Sequence, residues 1–65
     1  MQTLKEAFED NQRTKTLRLI RYTGEFIARL PIEDAIERYG DWTYCSAYSE
    51  RFTELDVWIM RPIEN

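Results

Sequence analysis

The sequence predicts an α+β fold: one small domain in which a helix, two strands, a second helix and two further strands follow one another. Three observations predict it. The stretch from Pro31 to Gly40 has the apolar spacing of an amphipathic helix, and stretches with alternating apolar and polar residues lie on both sides of it, at 14–30 and 41–60. The length of 65 residues allows one domain, residues 1–65, with a marginal core.

The first predicted helix begins at a capping box, in which Thr3 is the N-cap and Glu6 follows three residues later. It is expected to run to about Asn11. Its apolar face is thin and consists of Leu4, Ala7 and Phe8. A patch of this size docks a helix onto a larger body without holding it alone, so we expect a lid or a fraying end.

The first predicted hairpin has a strand at 14–22, a tight turn at Thr23-Gly24 and a returning strand at 25–30. Gly24 suits this turn because it tolerates a positive φ. Alternation places Leu17 and Leu19 on one face of the first strand. On the returning strand, the residues expected to share that face are Phe26, Ala28 and Leu30.

The second helix is the clearest element of the chain. The apolar residues Ile32, Ala35, Ile36 and Tyr39 lie on one stripe, opposite a charged side. Pro31 suits the first helical position, and Gly40 suits the position just after the helix, where φ is often positive.

The second predicted hairpin follows directly, with strands at 41–48 and 52–60 and a turn at 49–51. Alternation in the first of these strands places Trp42, Tyr44 and Tyr48 on one side, opposite Thr43, Cys45 and Ala47. In the second strand, Leu55, Val57 and Ile59 oppose Glu54, Asp56, Trp58 and Met60.

These elements predict a sheet of about four strands, mixed or antiparallel, with both helices on one face; the strand order stays open. The small and aliphatic residues are expected under the helices, with Cys45 among them. The opposite face would then carry an unusually apolar and aromatic set: Arg18, Ile20, Tyr22, Ile27, Arg29, Trp42, Tyr44, Tyr48, Trp58 and Met60.

The composition argues against catalysis. The chain has no histidine, which removes the commonest general base and metal ligand, and one cysteine cannot build a zinc site. Cys45 is expected to be a buried structural thiol, because nothing in the sequence would activate it. The two glycines form no phosphate-binding loop. We therefore expect no enzyme, no cofactor and no metal site.

The sequence favours a protein-interaction module, which binds another protein or itself through the aromatic sheet face. Aromatic residues and arginines are enriched at the centres of protein interfaces. The predicted partner-binding residues are Trp42, Tyr44, Tyr48, Trp58, Arg18 and Arg29. The motifs resemble no particular family. The polar amino terminus and the lack of a long apolar segment favour a cytoplasmic location and no membrane association.

Three alternatives remain at this stage. The arginine-rich stretch 13–30 and the aromatics would suit single-stranded nucleic acid, although Glu54 and Asp56 would stand among the stacking rings and repel phosphates. The stretch 31–65 has eight acids against three arginines, so the chain would also suit a phage or mobile-element accessory protein that occupies a partner's nucleic-acid site with an acidic face. Finally, the aromatics would face the helices if the small residues point outward.

Overall fold

The chain forms a small single domain with two helices and a mixed four-stranded sheet, in the predicted order of elements. A computed structural model describes residues 2–11, 13–51 and 53–61. The elements are α1 (Leu4–Phe8), β1 (Thr16–Arg21), β2 (Phe26–Pro31), α2 (Ile32–Tyr39), β3 (Thr43–Arg51) and β4 (Glu54–Met60). The predicted turn at 49–51 was wrong, because β3 continues to Arg51. Phe52, predicted to begin the fourth strand, lies outside the described residues.

The strand order is β2-β1-β4-β3, which the sequence left open. The two central strands, β1 and β4, run parallel, and each pairs antiparallel with its own hairpin partner at the edge. The strands that α2 connects, β2 and β3, therefore lie at opposite edges. Consequently, α2 has to cross the sheet between them.

Both helices pack on the same face of the sheet. The central strands present fully buried aliphatic side chains there, and Ala35 of α2 is also fully buried. The buried core consists of Leu4, Phe8, Leu17, Leu19, Ala35, Val57 and Ile59. Among the described residues no helix is long and apolar enough to cross a membrane.

α1 belongs to the core, so the expectation of a lid or a fraying end was wrong. Leu4 is fully buried and Phe8 is 8% exposed. The capping box forms as predicted, and the start of the helix is also tied to the connection after α2: the Leu4 amide donates to the Trp42 carbonyl at 2.8 Å and the Lys5 amide to the Gly40 carbonyl at 3.0 Å. These tertiary bonds hold a helix that is too short to be stable alone.

Both ends of α2 differ from the prediction: Pro31 has a different position at the start, and Gly40 has a different backbone conformation at the end. Pro31, predicted as the first helical residue, is the N-cap instead, with extended backbone angles (φ −54°, ψ 146°). The helix therefore begins one residue later than predicted, at Ile32. Gly40 has a helical φ of −60°, so a positive φ does not explain the glycine. A Cβ at this position would collide with the Ile36 carbonyl oxygen and would lie 3.4 Å from the Lys5 Cβ. The glycine therefore avoids a collision with the last turn of α2 itself.

Candidate interaction surface

The sheet has a second face that no helix covers among the described residues; we call it the open face. Residues paired in a ladder share a face, so the register assigns its members. Two of its rows of side chains cross all four strands at the centre of the sheet. The polar row consists of Arg29, Arg18, Asp56 and Tyr48, and the apolar row consists of Phe26, Ile20, Trp58 and Ser46.

Arg18 is the centre of the polar row. Its Nη1 lies 3.3 Å from Asp56 Oδ1 and 3.4 Å from Asp56 Oδ2, which joins the two central strands. Its guanidinium carbon also lies 5.8 Å from the centroid of the Phe26 ring, within the range of a cation–π contact. Arg18 therefore links the polar row to the apolar row.

Arg29 forms the second ion pair of this face. Its Nε lies 2.5 Å from Glu54 Oε1, so the side chain extends from the edge strand β2 across β1 to reach β4. The Glu54 side chain is only 11% exposed, whereas that of Arg29 is 61% exposed. These two arginines and Asp56 and Glu54 give the centre of the face balanced charge.

The apolar row leaves large rings in contact with solvent. Phe26 is 54% exposed, and Tyr48 in the neighbouring polar row is 58% exposed. Ile20 and Trp58 lie between the edge strands and are partly exposed. Contiguous apolar surface of this kind, with charged groups beside it, is typical of protein contact sites.

Four of the six predicted partner-binding residues lie together on the open face: Tyr48, Trp58, Arg18 and Arg29. The placement of Tyr44 with them was wrong. Tyr44 pairs with Ile59 on the helix face, and its ring contacts Phe8 edge-on, with 6.0 Å between centroids. The register shifts between Tyr44 and Ser46, so one extra residue separates Tyr44 from Tyr48 and reverses the alternation.

Trp42 also lies away from the open face, because it precedes β3 and packs against the helix side of the core. Its ring meets Tyr39 edge-on, with 5.2 Å between centroids, and the guanidinium carbon of Arg61 lies 5.9 Å from its centroid. Together with Arg21 and Phe26, these residues contribute to a wide, shallow depression at this end of the sheet. Trp42 and Trp58 therefore lie on opposite sides of the sheet, and Phe26 of the open face borders the depression that Trp42 lines.

Two expectations for individual residues were wrong for the same physical reason. Cys45, expected to be a buried thiol, is the extra residue of the β3 irregularity and is exposed. Phe26, expected under the helices, is on the open face, because the register also shifts between Leu19 and Ile20. Ile27 packs against the core instead. Phe26 is the member of the face that the sequence missed, since no turn residue marks either irregularity.

Within the described residues no group of three or more histidine, cysteine or acidic side chains could hold a metal ion. The chain matches no protein-family model, no curated protein sequence and no solved structure significantly. Its function must therefore be argued from the surface itself.

Proposed function

We propose that this chain is a non-catalytic protein-interaction module that binds another polypeptide, a second copy included, through the open face. The observation that carries the proposal is the pair of rows across the sheet: exposed Phe26 and Tyr48 at opposite edges, with Ile20 and Trp58 between them. Large, rigid rings next to ion-paired arginines supply the anchors and the polar surroundings that protein interfaces use.

The ion pairs favour a polypeptide over single-stranded nucleic acid. Arg18 and Arg29 are basic residues at the centre of the open face, where a phosphate would bind, and each already binds a carboxylate of β4. A phosphate would have to displace Asp56 or Glu54 and then approach the released negative charge. Single-strand binding sites rely on grooves with excess positive charge, which the centre of this face lacks.

Binding through an acidic face would involve a different surface. Glu33, Asp34 and Glu37 of α2 are exposed on the other side of the domain from the open face. Substitutions on α2 and on the open face therefore separate an accessory protein that imitates nucleic acid from the module proposed here.

The experiment is affinity capture with tagged protein, after nuclease treatment, with two matched variants. Trp58→Ala removes the central ring of the open face, and Glu37→Gln changes an exposed position on α2. A polypeptide retained by the wild type and by Glu37→Gln, lost with Trp58→Ala, and bound again when purified is the expected result. The proposal would be overturned if Trp58→Ala captured the polypeptide as well as the wild type does, or if Glu37→Gln lost it.

Nucleic acid is tested separately with labelled single-stranded oligonucleotides. We expect no retention of the oligonucleotide at physiological salt, because Arg18 and Arg29 are already paired with carboxylates. Binding that weakens linearly in log salt, with a slope reduced by replacement of Arg18 and Arg29, would replace the proposed function by the nucleic-acid alternative.

A further inference from the structure

We infer that the partner of the open face is a second copy of this chain, stacked face to face about a two-fold axis parallel to the central strands. This inference rests on the proposed function and names its partner. It follows from one feature of the topology: β1 and β4 are both central and pair in register, with Arg18 opposite Asp56 and Ile20 opposite Trp58.

A two-fold axis that lies midway between β1 and β4, in the plane of contact, exchanges their positions. It keeps the strand direction, so the second copy's β1 lies over the first copy's β4 at the same height. Arg18 of each copy then faces Asp56 of the other, and Ile20 of each faces Trp58 of the other.

The charges of the polar row match in this arrangement. Across the sheet, the row begins with cations at β2 and β1 and ends with Asp56 and the Tyr48 ring at β4 and β3. The two-fold rotation reverses this order in the second copy, so Arg18 of each copy faces Asp56 of the other, while the Arg29 guanidinium stays with Glu54 over the central strands. Arg18 of each copy therefore meets an acceptor, which is the self-complementarity that a symmetric dimer requires.

The size of the face sets the strength to expect. Four strands at ~4.8 Å spacing and about six residues at ~3.3 Å each give a contact that buries on the order of 1,000 Å² in total, the low end for specific interfaces. The dissociation constant of the dimer should therefore be micromolar or higher, so the dimer is weak.

Charge reversal tests the arrangement by sedimentation equilibrium. Arg18→Asp makes positions 18 and 56 both acidic, and Asp56→Arg makes both basic, so each variant alone repels itself. We expect each to dimerise at least about tenfold more weakly than the wild type. An equimolar mixture restores opposite charges at both contacts and should form a heterodimer. The double variant should again form a homodimer.

Arg38→Asp provides the matched control, because it changes the net charge by the same amount as Arg18→Asp but lies exposed on α2. Alone, it should dimerise as the wild type does. Mixed with Asp56→Arg, it has opposite charges at only one of the two contacts, so its heterodimer should be weaker than that of Arg18→Asp with Asp56→Arg. If a charge reversal unfolds the chain, Arg18→Gln and Asp56→Asn carry the test, and each should weaken the dimer. Unchanged dimerisation of these neutral variants would overturn the inference.

The free thiol of Cys45 distinguishes the stacked dimer from one formed edge to edge. In the stacked dimer the two Cys45 residues lie at opposite edges, about 18 Å apart for sheets separated by ~10 Å and strands by ~4.8 Å. Pairing of two β3 edges would bring them close enough for a short thiol cross-linker. We expect no cross-linked dimer; its formation would overturn the inference.

The outcomes also separate this inference from the proposed function. A wild type that stays monomeric to millimolar concentration, together with capture of another polypeptide that requires Trp58, overturns the second-copy inference and leaves the function standing. If substitutions of Arg18, Asp56 and Trp58 leave the dissociation constant of the dimer unchanged, the inference is overturned, because association then uses another surface.

Discussion

Arg18 on β1 and Asp56 on β4 form an ion pair that joins the two parallel central strands, with 3.3 Å between Nη1 and Oδ1. The two residues are 38 positions apart in the sequence. Their side chains are 45% and 29% exposed, so solvent screens the attraction. The pair therefore contributes modestly to folding and remains available to a partner.

A double-mutant cycle measures the energy of this pair. We expect Arg18→Gln and Asp56→Asn to be coupled by about 0.2–1 kcal/mol in the free energy of unfolding, the range of partly exposed ion pairs. Chemical denaturation of the wild type, both single variants and the double variant gives the coupling. It should shrink at high salt, and additive single effects would contradict the pairing.

Two neighbouring residues of β1 test the assignment of faces. Leu19 is fully buried in the core, whereas Ile20 lies on the open face and is only partly buried. We expect Leu19→Ala to cost about 2–5 kcal/mol of stability and Ile20→Ala clearly less, because only the first leaves a cavity in the core. Thermal or denaturant unfolding compares them. Equal losses would show that the faces are assigned incorrectly.

The two glycines should respond differently to substitution. Gly24 has a φ of +99° with open space around it, whereas Gly40 has a helical φ and no room for a Cβ. Alanine should destabilise both, by about 1–2 kcal/mol at Gly24 and about 1–3 kcal/mol at Gly40. Asparagine, which tolerates a positive φ, should recover stability at Gly24 only. Recovery at Gly40 would contradict the steric explanation.

The capping box makes a prediction about pH. The backbone N–H and the hydroxyl of Thr3 both donate to Glu6 Oε1, at 3.1 and 3.0 Å, and these bonds lower the pKa of Glu6 from its ordinary value. A lowered pKa in the folded state means that the contribution to stability is present above the unfolded value and is lost as pH falls through the folded value. Thr3→Ala should raise the pKa of Glu6 in a carbon-detected NMR titration. Alanine keeps the backbone N–H that also donates to Glu6, so an identical pKa in both proteins would rule out the Thr3 hydroxyl as a cause.

The accuracy of the sequence prediction depended on where the strands are regular. The alternation of β4 correctly placed Val57 and Ile59 in the core and Trp58 on the open face, because β4 contributes no extra residue. The same reasoning failed for Tyr44, because one additional residue in β3 reverses the alternation before Tyr48. Such an irregularity is decided by pairing with another strand and has no local signal.

The strand order was beyond the sequence for a related reason. Each hairpin is a local structure, and its two strands alternate in the same way whichever edge meets the other hairpin. Only the assembled sheet shows that β1 meets β4 in parallel. The two ion pairs of the open face form only because β1 pairs with β4. Arg18 and Arg29 were therefore predicted as surface residues without their partners.

The most direct test of the open face as the contact surface uses the two tryptophans, Trp58 on that face and Trp42 on the helix side. Their indole N–H signals are followed by two-dimensional NMR of the wild type, in a concentration series from micromolar to millimolar. We predict that the Trp58 signal shifts with concentration and that the Trp42 signal stays in place. A shift of Trp42 alone, or of neither signal, would contradict self-association through the open face.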